Sequence, residues 1–307
     1  MGEASIPVDL FNPGQVFACL GFLEAADVLL GDAEGGFDWS NDADVRFVLR
    51  TPGDENPFSV VLGYIARASV VSVAPPGSRN NTDKWQVPTE TLVEDDPFPF
   101  PDPESPATLP AIIEEAREGD AAPTARLVID HWGDVTCRDA VKFWAGSAGY
   151  PGAALARDAI DLARGRCHNA ASDPFSLSAE QKSSFRFDWR RDYIPIDAGF
   201  SLNNHSGSIA AVGFPLVEVF AAFGLRNARP KKLHVLEYRY GVLGAISKSD
   251  KTRTLGGDIF FDPCLLRAAL GGSNLPFSRR SFRMHLGWPG KEGQARCITT
   301  VTEETIP

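Results

Sequence analysis

The sequence predicts an α+β fold of two ferredoxin-like or RRM-like β-α-β-α-β units that are joined by a proline-rich acidic segment. Strand-like and helix-like segments follow one another in the same order in both halves, and the two most apolar helical segments occupy comparable places. Proline and acidic residues concentrate between the halves. These observations divide the chain into an N-terminal α+β unit at 1–74, a linker or insertion at 75–123 and a basic C-terminal α+β unit at 124–307.

The N-terminal unit begins with a helix whose two ends are marked in the sequence. Asn12 is a suitable N-cap and Pro13 a suitable first helical residue, while apolar residues then recur at helical spacing until Gly31. The other predicted elements are a turn at 31–36, a strand at 44–50, a helix that starts at Asn56-Pro57 and a strand at 68–74.

The segment 75–123 differs in composition from the rest of the chain. It contains ten prolines and the acidic run 94–96, which is typical of a loop or linker. One short helix is predicted within it, at 111–118.

The C-terminal unit repeats the alternation of strands and helices. A glycine-rich turn at 145–152 precedes one of its helices, and Gly224 marks the end of another. Strands are predicted at 125–132, 184–190, 232–242, 281–286 and 295–301, and helices at 154–164, 208–225 and 263–270.

The charge of the chain is distributed unevenly. The net charge is −10 over 307 residues, yet residues 1–150 carry −16 and residues 151–307 carry +6. Such asymmetry indicates that the protein presents an acidic face and a basic face to different partners. Solvated loops rich in acidic residues would produce the same excess of negative charge in the first half. The basic half is therefore the candidate surface for a polyanion.

The sequence favours a cytoplasmic protein that neither spans nor binds a membrane. It shows no run of eighteen apolar residues and no secretory signal at its start. Its five cysteines are odd in number and widely spaced, so they predict no disulfide framework and fit a reducing compartment.

No pattern of catalytic or metal-binding residues stands out. The five histidines lack the spacing of a zinc site, and the adjacent pair Cys167-His168 cannot easily share one ion without further ligands. Carboxylate pairs such as Asp130 with Asp134 are common on surfaces. We therefore predict no catalytic residue, no metal and no cofactor.

Basic residues of the second half cluster beside aromatic and hydroxyl side chains, which is typical of contacts to phosphates and stacked bases. For residues 185, 187 and 189 the alternative of a core-facing aromatic row is preferred, and Lys231 and Lys232 could instead complement a helix C-terminus. The polar run 203–206 suits either base edges or a helix cap. The predicted nucleic-acid-binding residues are Arg186, Arg190, Arg191, Asn203, Asn204, His205, Arg229, Lys231, Lys232, Arg239, Lys248, Lys251, Arg253, Arg279, Arg280 and Arg283.

Two stretches of the chain resemble a known family. Residues 8–26 (VDLFNPGQVFACLGFLEAA) form one stretch, and the other comprises 197–203 (DAGFSLN), 215–226 (PLVEVFAAFGLR) and Arg229-Pro230. Together they are similar to the large-subunit family of type I-U (also called I-G) CRISPR surveillance complexes, the Csb-three-like group. The resemblance covers most of the chain apart from the proline-rich segment.

The resemblance implies a non-catalytic subunit of an RNA-guided DNA surveillance complex (Cascade). Such a subunit would bind guide RNA and target DNA, help to recognise the short flanking motif (PAM), stabilise the R-loop and recruit a helicase-nuclease alongside sister subunits. Two alternatives remain open: an RRM-like RNA-binding backbone subunit, and a metal-independent endoribonuclease that processes the guide RNA and uses His168 or His205. A scaffold that binds only protein is a further alternative.

Overall fold

The computed structural model describes residues 1–92, 105–115, 125–130, 150–181, 184–190, 212–244, 259–287 and 297–305. Within these residues the chain is a mixed α+β structure with five α-helices and several small sheets. The helices are α1 (Pro13–Leu30), α2 (Pro57–Arg67), α3 (Gly152–Ala163), α4 (Pro215–Gly224) and α5 (Pro263–Leu270). The strands are β1 (Gly2–Pro7), β2 (Glu34–Asp38), β3 (Arg46–Thr51), β4 (Ala68–Ala74), β5 (Thr89–Thr91), β6 (Ala111–Glu115), β7 (Leu127–Ile129), β8 (Ala179–Glu180), β9 (Val212–Gly213), β10 (Lys231–His234), β11 (Glu237–Leu243), β12 (Arg279–Gly287) and β13 (Cys297–Glu304).

The first sheet has the order β1-β3-β2, and both of its strand pairs are antiparallel. With α1 between β1 and β2, this is a split β-α-β arrangement. Strand β4 follows α2 but pairs in another sheet, where its neighbours are β5 and β6. The prediction of an α+β fold is thus confirmed, whereas the prediction of two ferredoxin-like units is not.

The second sheet has the order β5-β4-β6-β7 and takes strands from all three predicted segments of the chain. Helix α2 lies against it, and the Tyr64 hydroxyl donates to the carbonyl oxygens of Ile113 at 2.9 Å and Ala125 at 3.0 Å. The proline-rich segment therefore contributes β5 and β6 to a packed sheet. The three-part division of the chain stays a prediction.

The third sheet is an antiparallel meander in the order β10-β11-β12-β13, with α5 inserted between β11 and β12. Isolated bridges join the first sheet to residues between β11 and α5: Phe37 pairs with Gly244, just after β11, and Gly35 pairs with Phe261, just before α5. The short strands β8 and β9 form a separate antiparallel pair.

Helix α1 forms the centre of the core. Asn12 caps it by accepting a hydrogen bond from the amide of Gly14 at 3.1 Å, and it ends at Gly31 with φ of +73°. By length and composition alone α1 could cross a membrane, but 78% of it is buried inside the protein. Such burial is also what the core helix of a globular domain shows.

Two glycines allow α1 and α4 to cross in close contact. An ideal Cβ at Gly21 would lie 1.9 Å from the carbonyl oxygen of Phe220, and one at Gly224 would lie 2.2 Å from the carbonyl oxygen of Phe17. Beside the crossing, the rings of Phe22 and Phe220 stack with centroids 3.8 Å apart. Burying each ring contributes about 1.5–3 kcal/mol to stability.

Several predicted elements are confirmed with nearly the predicted bounds. Asn56 caps α2 by accepting from the amide of Phe58 at 2.9 Å, and β4 and α5 have the bounds that the sequence predicts. The predicted strands at 44–50, 281–286 and 295–301 correspond to β3, β12 and β13, and the helix at 154–164 corresponds to α3. Of the described residues in the strand predicted at 125–132, only Leu127–Ile129 form a strand. Positions 131–132 and 295–296 lie outside the described residues.

Other predicted elements are wrong, because tertiary contacts override the local pattern. The segment 111–115 is strand β6 rather than a helix, since it lies between β4 and β7. The predicted turn at 31–36 includes the start of β2, which pairs with β3. The segment 232–242 is split between β10 and β11, with Val235 exposed at the turn.

Two further corrections concern segments near α4. Residues 184–190 form no strand: Arg186 has φ of +67°, and the amide of Phe187 donates to the Glu218 side chain at 3.2 Å. The helix predicted at 208–225 begins only at Pro215, and its first four positions, 208–211, lie outside the described residues.

We expect Gly21→Ala to lower the free energy of unfolding by about 1–3 kcal/mol, because the new methyl group would force α1 away from α4. Urea denaturation followed by circular dichroism measures this change. Gly63→Ala is the matched control, since Gly63 lies inside α2 and its Cβ would approach only the end of the Arg67 side chain, at 3.5 Å. The control should gain about 0.5–1 kcal/mol from helix propensity. Equal effects at both positions would contradict the close crossing.

Candidate nucleic-acid interface

The structure brings most of the described predicted contacts together at one sheet. Residues 231 and 232 lie on β10, Arg239 lies on β11, and residues 279, 280 and 283 lie on β12, while Arg229 comes just before β10. Arg186 and Arg190 lie elsewhere, near the start of α1. The remaining predicted residues lie outside the described part of the chain: Arg191, Asn203, Asn204, His205, Lys248, Lys251 and Arg253.

Alternation along the strands gives this sheet two different faces. Tyr238, Tyr240 and Phe282 are buried, and the Tyr240 hydroxyl donates to the carbonyl oxygen of Leu10 at 2.7 Å. The opposite face, here called the arginine face, carries Lys231, Arg239, Gly241, Ser281 and Arg283. Lys231 pairs in register with Arg239, which in turn pairs with Arg283. Three cations of the prediction thus stand in adjacent positions across three strands.

Carboxylates neutralise part of the arginine face. Glu304 on β13 accepts hydrogen bonds from both Arg239 and Arg283, the latter at 2.6 Å. Arg283 also lies 3.8 Å from Glu237, which contacts His285 at 3.4 Å. The basic cluster seen in the sequence is therefore a mixed row of arginine and glutamate in three dimensions.

Arg280 points to the other face of β12 and is engaged in a similar way. Its guanidinium binds Glu303 at 2.7 and 2.8 Å and lies 3.4 Å from Asp42. It also lies over the ring of Phe282, 5.6 Å from its centroid. Arg280 thus contacts carboxylates from both halves of the chain.

These ion pairs shift the pKa values of the two glutamates in the last strand. Hydrogen bonds from Arg280 lower the pKa of Glu303, and hydrogen bonds from Arg239 lower the pKa of Glu304, with Arg283 adding to the effect. Both shifts act against partial burial, which would raise the pKa. Both carboxylates are consequently held in their charged form.

A small polar cleft lies between the arginine face and the loop that follows α5. Its volume is about 160 Å³, and its lining includes Arg239, Ser273, Asn274, Arg279 and Ser281. No aspartate or glutamate is among the described residues that line it. The cleft is therefore lined by cations and neutral donors, with one carboxylate, Glu304, bound to Arg239 at its edge.

Arg190, one of the predicted contacts, makes several structural contacts within the chain. It binds Asp188 at 2.7 Å, donates to the carbonyl oxygen of Phe175 at 2.7 Å and lies 3.7 Å from the centroid of the Phe214 ring. Asp188 is 2% exposed, so a buried charge is compensated by this arginine. The preference for a core-facing aromatic row is confirmed for the buried rings of Phe185 and Phe187, whereas Trp189 is 40% exposed.

Arg229 lies near a buried carboxylate. Burial raises the pKa of Asp130, and the charges of Arg226 and Arg229 partly oppose that rise. Arg226 also hydrogen-bonds to Asp130 at 3.2 Å. This part of the basic cluster therefore also contributes to charge compensation next to the core.

The described residues include histidine, cysteine, aspartate and glutamate side chains, the types that bind metals or act as nucleophiles. They contain no cluster of three or more histidine, cysteine, aspartate or glutamate side chains placed to hold a metal ion. Burial raises the pKa of the Cys19 and Cys167 thiols, so both are held in the protonated, less nucleophilic form. The predictions about catalysis, metals and cofactors stay predictions.

Sequence reasoning missed the neutral residues of the cleft and the acidic residues of the last strand. Ser273 and Asn274 follow α5, and Ser281 stands opposite Gly241 in the register of β11 and β12. Polar residues after a helix and a serine in a strand are common on surfaces, so nothing in their local pattern distinguishes them. Glu303 and Glu304 become relevant only through the pairing of β12 with β13.

No family model, no curated protein and no solved structure matches this chain.

We expect replacement of the two paired glutamates, Glu303→Gln with Glu304→Gln, to reduce the dependence of stability on acid pH. A carboxylate with a lower pKa in the folded chain adds stability above its ordinary pKa, and this is lost as the pH falls through the lowered value. The variant should be less stable at pH 7 by about 1 kcal/mol, a modest amount because surface pairs are screened. Below about pH 4 the difference should shrink.

Urea unfolding at a series of pH values measures this difference. The control variant, Glu3→Gln with Glu55→Gln, removes two exposed carboxylates that make no ion pair with other described residues. The control should follow the wild type at each pH. A difference between the glutamate variant and wild type that does not change with pH would contradict the ion pairs.

Proposed function

We propose that this protein is a non-catalytic, nucleic-acid-binding subunit of an RNA-guided DNA surveillance complex, similar to the large subunit of type I-U CRISPR complexes. In this role it helps to bind target DNA, to recognise the PAM, to stabilise the R-loop and to recruit a helicase-nuclease. The observation that carries the proposal is the concentration of cations at the sheet β10–β13, with a carboxylate-free cleft beside them.

The charge arrangement supports a contact that does not depend on sequence. Lys231 is exposed and makes no ion pair among the residues that the structure describes, and Arg279 bonds there only to the carbonyl oxygen of Ser273. Arginine and lysine side chains beside hydroxyl groups are suited to phosphate oxygens. In a guided complex the guide RNA reads the sequence, so the protein needs only to hold the backbone.

The family resemblance supports the proposal because it involves residues of the core, rather than residues of the surface. Its two stretches include α1 and α4, whose close crossing requires Gly21 and Gly224. Both glycines fall within the resembling residues. The resemblance therefore concerns positions that set the fold, which is what a shared family architecture needs.

Purification of the tagged chain from its native host at low salt, followed by sequencing of the retained RNA, tests the proposal. We expect short RNAs of uniform length that share a repeat-derived sequence, together with further protein subunits. A chain that retains no RNA at low salt would contradict the proposal. Metal-independent cleavage of repeat RNA that is lost in His205→Ala would replace it with a processing nuclease.

We expect charge reversal at the sheet, Lys231→Glu with Arg279→Glu, to weaken binding of target DNA by the assembled complex about tenfold or more. Each lost phosphate contact should also reduce the slope of log K against log salt by about 0.9. Fluorescence anisotropy at several salt concentrations measures both quantities.

The matched control reverses two exposed cations of the first half, Arg79→Glu with Lys84→Glu, and so changes the net charge equally. Its affinity and salt slope should stay near those of the wild type. Equal losses in both variants would show that only total charge matters. Unchanged affinity in the sheet variant would favour a scaffold that binds only protein.

A further inference from the structure

The cleft beside α5 is built from the register of two strands. On the arginine face, Gly241 stands opposite Ser281, and the neighbouring positions on that face are occupied by Arg239 opposite Arg283 and by Leu243 opposite Arg279. A glycine and a serine therefore form the floor of the cleft, and the absence of a side chain at Gly241 lets the end of α5 pack directly above it. Arg239 and Arg279 stand on opposite sides of this floor.

The loop after α5 closes the cleft from the other side. Gly272 has φ of +81°, which brings Ser273 and Asn274 over the sheet. Arg279 donates to the carbonyl oxygen of Ser273 at 3.0 Å, so this arginine is held against the loop. Gly241 lies under the end of α5, and an ideal Cβ there would be 2.6 Å from the carbonyl oxygen of Ala269.

Hydrogen-bond donors in the cleft remain available. Arg239 uses its Nε for Glu304, and Arg279 uses one terminal nitrogen for Ser273, with no other acceptor among the described residues. The side chains of Asn274 and Ser281 have no partner there either. Guanidinium groups offer five donors each, so several N–H groups are free to bind a ligand.

We propose that this cleft is a binding site for one phosphate group, held between Arg239 and Arg279 with Ser281 and Asn274 as neutral donors. Arg279 gives the lining a positive charge that no described carboxylate compensates, and Arg239, which pairs with Glu304 through its Nε, adds its remaining N–H donors. This inference deepens the proposed function and rests on it for the source of the group, which is a phosphodiester of bound RNA or DNA. A free phosphate has the same chemistry, so the experiment separates the two sources.

The test uses the purified full chain with two probes: inorganic phosphate and a labelled single-stranded oligonucleotide. We expect phosphate to raise the melting temperature more than chloride does at equal ionic strength. Arg279→Gln should weaken phosphate binding about tenfold, the loss of one charged hydrogen bond. Ser281→Ala, which keeps the cleft open, should give a smaller loss in the same direction.

Arg79→Gln is the matched control, because Arg79 is an exposed arginine of the first half that neither lines the cleft nor belongs to the predicted nucleic-acid-binding residues. It should bind phosphate as the wild type does. Equal weakening by Arg279→Gln and Arg79→Gln, or a wild type that phosphate does not stabilise beyond chloride, would overturn the proposed site.

The oligonucleotide separates this site from the proposed function. Loss of oligonucleotide affinity in Arg279→Gln, but not in Arg79→Gln, would identify the phosphodiester as the ligand. If the chain binds phosphate but the assembled complex does not bind nucleic acid, the phosphate site is supported and the proposed function is refuted. Tight oligonucleotide binding that Arg279→Gln leaves unchanged would refute the cleft and leave the function standing.

Discussion

The close crossing of α1 and α4 is the constraint on which the rest of the structure depends. With glycine at positions 21 and 224, the two backbones approach to a distance that no side chain allows. This contact joins the acidic and the basic halves of the sequence in one core. Glu24, one turn after Gly21 on α1, then binds Arg267 of α5 and Asn227. The crossing of α1 and α4 therefore fixes the position of α5, whose end forms a wall of the cleft.

Arginines in this chain serve two purposes that their local sequence does not separate. Some compensate carboxylates that folding buries, as Arg190 does for Asp188, because an isolated buried charge would be costly. The same Asp188 accepts a hydrogen bond from Asn12 at 2.9 Å, so it also holds the start of α1. Others, such as Arg279, keep donors that the described part of the protein does not use. Only the second kind can bind a polyanion without weakening the core.

The sequence predicts those features whose cause is local and not those whose cause is distant. Asn12 and Asn56 cap helices through atoms two residues away, and both helix starts are confirmed. The segment 111–115 has no local signal for a strand, because the partner that makes it one begins at Ala68. Contacts between distant residues are equally hard to predict on the candidate surface. Counting basic residues finds Arg239, yet its partner Glu304 lies 65 residues further along the chain.

The features that support the proposed function lie in two separate parts of the molecule, the core and the surface. Among the described residues, those on which the proposed family resemblance rests include most of α1 and all of α4, so they constrain packing and say little about which ligand is bound. The cleft consists instead of small residues that sequence patterns do not mark, such as Gly241 and Ser281, and of arginines placed by strand register. Register depends on the whole sheet, and a shift by one residue would move Arg239 and Arg279 to the buried face. The surface chemistry is therefore a consequence of the same long-range pairing that sets the fold, and it must be tested on the intact chain.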